Sequence, residues 1–352
     1  MAEQLTAQQR ANLFAMSTRQ NLQMMAKQIV TAPSTSMQFT LPKARLLSNI
    51  FVQVKATVNV KHPSKVSITN DKIGIHNIVR RYSLDLNNGF SPFSISGSGL
   101  AMLNMIQPNA VIVTENSDYC SIPDKFTASA EGTDNEFMFT VQLPVTLNQR
   151  DPIGLVLLQS DQTVTDLRLD IGNPADMYPS GQVAGYTMEL KKLEAIPMLE
   201  TFSIPANANA FPDLSVLKLC QDRTDTLTSA GQQIVKLSTG TIYRKLILFI
   251  TDENGEPATD DYVTSNIELV FNQADVNYSV NPAMLRAKNA YDLGCKLPDG
   301  VYIFDFTNQG FPNFGGTRDV IDTEKLTEFW VRFNTHAQGK VKIVSECLAR
   351  LI

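Results

Sequence analysis

The sequence is poor in the residue types that build most catalytic and metal sites. Its 352 residues include three histidines, four cysteines and one tryptophan. His62, His76 and His336 stand at no metal-ligand spacing, and neither half contains the His-x-His pair followed by a glutamate that a metal-dependent bicupin enzyme needs. A G-x-S-x-G nucleophile turn and a P-loop lysine are also absent. These absences argue against an enzyme and predict neither a metal nor another cofactor.

Paired cysteines, long apolar runs and excess positive charge are lacking as well. The cysteines form no C-x-x-C pair, which favours free thiols over disulfides; they are Cys120, Cys220, Cys295 and Cys347. No apolar run approaches the roughly 20 residues of a membrane-spanning helix. The first residues lack the compact apolar core of a secretion signal, so none is expected. The formal net charge of −5 argues against direct, sequence-specific binding of nucleic acid.

What the sequence does contain is strict alternation of apolar and polar residues. From Val52 to Lys61, within the run of residues 50–61, valine or alanine occupies every second position, with glutamine, lysine, threonine and asparagine between. Successive side chains of a strand point to opposite faces, so this pattern predicts a strand with one buried and one solvated face. The β-branched residues on the buried side suit a pleated surface. We take residues 50–61 as the strand on which a two-sheet sandwich is built.

The same order of elements occurs in both halves of the chain. Each half contains a long strand, a further strand, a short helix, a strand pair and a closing strand. Residues 197–213 contain three prolines and are typical of a linker. The sequence therefore predicts an all-β chain of two tandem eight-stranded jelly rolls with short helices in their loops. Its expected domains are an N-terminal helix and linker (1–36), a first jelly roll (37–196) and a second (197–352).

Residues 5–30 predict one long amphipathic helix. The first proline is Pro33, and the apolar positions follow steps of three and four that form a single stripe: Ala7, Ala11, Phe14, Thr18, Leu22, Met25 and Ile29. The cations Arg10, Arg19 and Lys27 accompany the stripe. Because propensity alone stabilises an isolated helix little, this one must dock. It packs either under its own domain or a neighbouring subunit, or against lipid, where each basic residue contributes about 1 kcal/mol.

Two short motifs are weak signals of ligand binding. Asp252-x-Asn254-Gly255 resembles the start of a calcium loop, but the glutamate required at the twelfth position is missing, so a solvated turn is favoured. Gly97-Ser98-Gly99 precedes a predicted helix, but a lone G-x-G without further glycines predicts a tight turn and no anion site.

Four parts of the chain resemble the major capsid proteins of tectiviruses, which are tailless phages with an internal membrane. They are residues 3–9 with 26–30, residues 139–145 with 164–171, residues 242–246, and residues 298–305. Together they extend over nearly the whole chain. The chain is short compared with longer relatives, and in this it resembles the family members that infect Gram-positive bacilli.

The resemblance implies a homotrimer of double jelly rolls that forms a pseudo-hexagonal capsomer. Such capsomers tile the icosahedral virion around an internal membrane that encloses double-stranded DNA, after assembly in the host cytoplasm. The implied partners are the chain itself, neighbouring capsomers, penton and minor capsid proteins, and the viral membrane or its proteins. The N-terminal helix would face that membrane at the base of the capsomer, through Arg10, Phe14, Arg19, Leu22, Met25, Lys27 and Ile29.

Two other functions stay open at this point. A receptor- or carbohydrate-binding spike protein would share the double jelly roll, but such sites often expose aromatic platforms, whereas Trp330 is predicted inside a strand. A bicupin enzyme would share the fold as well, and the spacing of the histidines argues against it.

Overall fold

The computed structural model describes residues 7–87, 89–106, 120–147, 153–158, 164–211, 213–307 and 320–350. The chain divides into two compact units. The first takes in most of the chain up to Lys218, and the second takes in Leu219–Ala349 together with residues 179–181.

The first unit contains two α-helices and twelve strands among its described residues. The helices are α1 (Ala7–Ser17) and α2 (Gly97–Met105), and short 3-10 turns cover Gly74–Ile78, Pro174–Met177 and Ala208–Ala210. The strands are β1 (Gln20–Met24), β2 (Gln28–Val30), β3 (Ser36–Thr40), β4 (Leu46–Lys61), β5 (Ser67–Thr69), β6 (Val79–Leu86), β7 (Phe90–Ile95), β8 (Lys125–Thr127), β9 (Thr133–Pro144), β10 (Val156–Leu157), β11 (Thr165–Ile171) and β12 (Thr187–Phe202).

The second unit contains one α-helix among its described residues, α3 (Pro282–Leu293), and a 3-10 turn at Asp260–Tyr262. The boundary between the units falls inside β13. The strands are β13 (Val216–Leu227), β14 (Gly231–Leu237), β15 (Ile242–Asp252), β16 (Ile267–Phe271), β17 (Asp275–Val280), β18 (Val301–Asp305), β19 (Ile321–Asp322), β20 (Phe329–Thr335) and β21 (Gly339–Arg350).

Strand β4 is the centre of the first unit, and the predicted alternation is confirmed. Its apolar positions are almost fully buried; they are Val52, Val54, Ala56, Val58 and Val60. It pairs antiparallel with β12 on one side and with β9 on the other. Asn59 departs from the pattern, because its buried carboxamide donates a hydrogen bond to Asp134 at 2.6 Å. Burial of this row of apolar side chains is the main favourable term for the sheet.

Each unit is a sandwich of two antiparallel sheets. In the first unit one sheet has the order β1-β12-β4-β10, with β2 on β12 and β9 on β4, and the other has the order β7-β6-β11-β3. In the second unit the orders are β18-β15-β21-β13 and β14-β20-β16-β17. The core of the second unit is aromatic: Phe329 stacks on Phe271 with ring centroids 5.0 Å apart and meets Tyr243 edge-on at 5.1 Å.

Each unit also carries one helix that an asparagine fastens to a strand. In α2, Asn104 donates to the carbonyl oxygen of Gln142 at 2.8 Å and accepts from the same residue's amide at 2.7 Å. In α3, Asn289 does the same with Ile303, at 2.9 and 3.0 Å. Helix α2 is buried throughout, and Gly97 begins it because a side chain there would collide with the carbonyl oxygen of His76.

The predicted helix over residues 5–30 is wrong beyond Ser17. Helix α1 ends there, and both the backbone N–H and the hydroxyl of Thr18 donate to the carbonyl oxygen of Phe14, at 3.0 and 2.7 Å. The following residues form β1 and β2, both paired with β12. Sheet pairing outweighs the weak local preference for helix. Residues 5 and 6 lie outside the described part of the chain.

The predicted domain limits at 36 and 196 also differ from the observed units. Strands β1 and β2 make the N-terminal region part of a sheet, and β12 continues past Ile196 to Phe202. The prediction ended the strand before Pro197, because proline usually interrupts a strand. Here it lies between Ala195, which pairs with β2, and Met198, which pairs with β1. The missing N–H therefore falls in the gap between those two strands.

Candidate assembly surfaces

Helix α1 is anchored to the first unit by the aromatic side chain of Phe14. Phe14 of α1 is only 4% exposed and belongs to a small apolar cluster with Leu46 and Leu155. Its ring meets that of Phe202 edge-on, with centroids 5.3 Å apart. Of the predicted contact residues, Phe14 therefore points into its own domain and is not available to an external partner.

Strands β1 and β2 present apolar side chains on one outer face of the sheet. Leu22 lies opposite Glu200 of β12, and Ile29 lies opposite Glu194. Glu194 and Glu200 are six residues apart on β12, and residues an even number apart on one strand share a face. Leu22 and Ile29, which lie opposite them, are therefore on the same side of the sheet, about 20 Å apart along β12. Both side chains are exposed. Met24, two residues beyond Leu22, is exposed on the same face and was missed by the sequence analysis.

The basic residues of this segment differ in their surroundings. Lys27 lies 3.6 Å from Glu194, where Lys192 also bonds, and these lysines hold the pKa of the Glu194 carboxyl below its ordinary value. Arg19 is exposed and Arg10 is half-buried. Met25 is half-buried and donates its backbone N–H to Pro197. The predicted set is thus spread over α1, β1, β2 and the residues that connect them.

The structure adds a surface on the second unit that sequence analysis missed. Met284 and Tyr291 of α3 are 67% and 83% exposed, while Leu285 and Asn289 of the same helix are buried. Met284 and Tyr291 are seven residues apart, which places them on one side of the helix, away from the core. The i, i+7 spacing in the sequence puts the two residues on one side of a helix but does not show that this side is exposed. Asn281 caps the helix, accepting from the amides at the first turn, as the Asn-Pro pair indicates.

A surface cavity of about 360 Å³ adjoins α3, and its lining includes charged side chains that bond to one another. Arg286 donates to Asp260 at 2.9 Å and to Asp299 at 2.7 Å. These two carboxylates hold the pKa of the guanidinium above its ordinary value against the opposing effect of its burial. Ala287 and Ala290 form the apolar wall of the cavity. The paired charges indicate a structural brace between α3 and its neighbouring loops.

The histidines take structural positions in both units. His76 is fully buried against Phe139, with ring centroids 4.3 Å apart, and His336 packs on Tyr262 at 4.8 Å. His62 accepts two backbone N–H groups at Nδ1. Within the described ranges, no group of three His, Cys, Asp or Glu side chains is placed to hold a metal ion.

The two weak ligand motifs differ in the structure. The tight turn predicted at Gly97-Ser98-Gly99 is wrong, because these residues form the first turn of α2. The carboxylate of Asp252 accepts the amides of Asn254 and Glu256, which is the geometry of a tight turn. None of the helices in the described part of the chain is long and apolar enough to cross a bilayer.

Comparison of the structure with solved proteins identifies the architecture. The major capsid protein of the Sulfolobus turreted icosahedral virus matches with a TM-score of 0.69 at 16% identity, over 94% of this chain and 97% of that one. A capsid chain of the virus PBCV-1 matches with a TM-score of 0.63 at 10% identity, over 94% of each chain. The chain has the double jelly-roll fold. The all-β prediction of two tandem jelly rolls is therefore confirmed.

A third double jelly roll extends the comparison to a bacterial virus. The major capsid protein from bacteriophage PM2 matches with a TM-score of 0.52 at 12% identity, over 94% of this chain and 98% of that one. No protein-family model matches the sequence, and no curated protein matches it significantly. The likeness therefore lies in the arrangement of the strands, which tolerates extensive change of sequence.

Proposed function

We propose that this protein is the major capsid protein of a virus and resides in the virion. The observation that carries the proposal is the match of both tandem jelly rolls, over 94% of the chain, to capsid proteins of the Sulfolobus virus and of bacteriophage PM2. A coat protein needs a rigid folded tile and complementary outer surfaces, and it needs no reactive site. The buried cores and the structural placement of the histidines support this role.

In the finer form of the proposal, three copies form a pseudo-hexagonal capsomer. These capsomers tile an icosahedral shell around an internal membrane that encloses double-stranded DNA, with penton and minor capsid proteins completing it. The resemblance of the sequence to tectivirus capsid proteins supports this form, including the assignment to phages of Gram-positive bacilli. Closed assembly also covers strand edges that would otherwise invite aggregation.

Mass measurement of the purified protein tests the assembly. Sedimentation equilibrium at micromolar concentration should give three times the 38.9 kDa chain mass. Electron microscopy of the same sample should show tile-like particles with six-fold outlines. A strictly monomeric species across the micromolar range contradicts the proposal.

The N-terminal segment is proposed to contact the internal membrane or the proteins at the base of the capsomer. Its exposed apolar side chains are Met16, Leu22, Met24 and Ile29, and Arg10 and Arg19 supply positive charge. One copy would bind lipid weakly, whereas many copies on a shell would bind through high effective concentration. Because Phe14, β1 and β2 are part of the first unit, point substitutions test this better than deletion.

Flotation with vesicles of anionic lipid measures the proposed contact. The exposed pair Leu22→Asn and Ile29→Asn should reduce the bound fraction of assembled protein several-fold. The control substitution Val66→Asn, at an exposed residue of the same unit outside this segment, should leave binding unchanged. Equal binding by both variants removes the lipid role and leaves protein contacts at the base.

A spike that binds carbohydrate gains no support from Trp330, the single tryptophan of the chain. Trp330 lies in β20 and is half-buried, with the ammonium group of Lys236 5.8 Å from its ring centroid. It therefore offers no open aromatic platform to a sugar. No observation in the described part of the chain favours this alternative over a coat protein.

A further inference from the structure

Helix α3 has an outer face that no described residue of its own unit covers. Met284 and Tyr291 are among the most exposed large apolar side chains of the described residues. Exposed apolar residues clustered on one face mark interaction sites more often than isolated ones do. Helix α2 gives the comparison within the same chain: it carries the same asparagine clamp, yet it is buried throughout and packs against the turn at Gly74–Ile78.

Strand β17 leads directly into α3 and is the end strand of its sheet. In the described part of the chain it pairs with β16 alone, so the N–H and C=O groups on its other side face outward. Val276 is exposed on this strand, while Tyr278 packs inward near Phe306, with ring centroids 5.7 Å apart. An open strand edge followed by an apolar helix face is a surface suited to another protein.

The charges on this surface favour a protein partner over a lipid headgroup or a nucleic acid. Lys288 lies between Met284 and Tyr291 on the outer side of α3 and forms an ion pair with Asp292, one turn further on. In the adjoining cavity, Arg286 is already bonded to Asp260 and Asp299. Both cations of α3 are therefore already paired with carboxylates of this chain, which disfavours binding of a phosphate group. The apolar side chains remain the main source of binding energy.

We infer that residues 275–293, named here the β17–α3 surface, dock onto a second copy of this chain. The inference rests on the proposed capsid function, in which copies lie side by side at high local concentration. A neighbouring copy would bury Met284 and Tyr291, as the chain itself buries α2. It would also cover the outer edge of β17. In a ring of three, contacts are heterologous, so this surface meets a different surface of the neighbour.

Charge substitution on the helix face tests the inference. Tyr291→Asp and Met284→Asp each place a charge where a partner would bury it, so the concentration needed for half-maximal trimer should rise about tenfold or more. Val66→Asp is the matched control, because Val66 is 76% exposed and lies in the first unit. It should leave the trimer intact, as should Tyr291→Phe. Thermal melting of each variant checks that the fold is retained.

Photo-crosslinking identifies the molecule that contacts the β17–α3 surface and does not depend on a disruptive substitution. A photoreactive phenylalanine analogue placed at position 291 should give a species of twice the chain mass. Its cross-linked peptides should derive from this chain, outside residues 275–293. A cross-link to lipid, or none within a confirmed trimer, overturns the inference.

The two proposals fail in distinguishable ways. A wild-type protein that is monomeric at micromolar concentration contradicts the proposed capsid function. A wild-type trimer whose assembly is unchanged by Tyr291→Asp and Met284→Asp leaves that function standing and rejects the β17–α3 surface.

Discussion

The carboxamide of Asn289 holds the backbone of Ile303 by two hydrogen bonds, donating from Nδ2 to the carbonyl oxygen and accepting at Oδ1 from the amide. Ile303 belongs to β18, the end strand of its sheet. The side chain thus takes the place of a neighbouring strand for one residue. Asn104 makes the same pair of bonds to Gln142 in the other unit. The clamp satisfies buried backbone groups and fixes each helix over the strand beneath it.

Removing this clamp should destabilise the second unit. Asn289→Ala leaves the N–H and C=O of Ile303 without their partner in a buried site, and each such loss costs about 1–3 kcal/mol. We expect a fall of about 2–4 kcal/mol in the free energy of unfolding, measured by urea denaturation. Lys288→Ala, one residue away on the exposed face, should change it by no more than about 0.5 kcal/mol. Equal effects of the two substitutions would show that the clamp contributes nothing.

A buried ion pair on β15 and β21 gives a second prediction. Arg244 Nε lies 3.2 Å from Glu346 Oε1, and both side chains are almost fully buried. Glu346→Gln removes the charge that compensates the guanidinium, at an expected cost of about 3–5 kcal/mol. In a separate cycle, the double variant Arg244→Met/Glu346→Leu should lose less stability than the sum of the losses in the single variants Arg244→Met and Glu346→Leu. Urea denaturation of the four proteins measures this coupling, and simple additivity would contradict it.

Anchoring of α1 depends on Phe14. Phe14→Ala empties a buried site against Leu46 and Phe202 and should lower the free energy of unfolding by about 3–5 kcal/mol. It should also speed proteolysis within residues 7–17. Met16→Ala on the same helix is the control, because Met16 is 86% exposed and should matter little. Unchanged proteolysis of the Phe14 variant would show that α1 is held by other contacts.

The buried thiols predict loss of stability in alkaline solution. Burial raises the pKa of the Cys347 thiol to about 12 and that of Cys120 to about 11, from an ordinary 9.0. Above pH 9 these thiols ionise in the unfolded chain but not in the folded one, so the stability they contribute is lost as the pH rises through 9 towards 12. Urea midpoints between pH 8 and 11 should fall less steeply for Cys347→Ala than for the wild type. Parallel slopes would contradict this prediction.

Local sequence pattern was sufficient where one face of an element is buried and the other solvated. The valines of β4 alternate without interruption, and their burial in the structure follows from that period alone. The start of α3 also has a local signal, because an asparagine cap accepts from the first amides of the helix and the proline after it has no N–H to satisfy. Both features depend on neighbours within a few residues along the chain.

The region after Ser17 shows where such patterns fail. Its glutamine-rich sequence fits a helix as well as a strand, and the choice was made by β12, which is about 170 residues away in sequence and offers an edge to β1 and β2. Exposure of Tyr291 was equally hidden, because helical spacing alone does not tell which side faces the core. Pairing partners and burial are long-range properties, so they are absent from any short window of residues.

Periodicity and the hydrophobic effect were enough to predict the all-β class, the two tandem jelly rolls and the central position of β4. Contacts between distant parts of the chain divide the N-terminal segment into a helix and two strands, bury Phe14 and leave an apolar face of α3 exposed. Each of these depends on which distant strand or side chain arrives beside it.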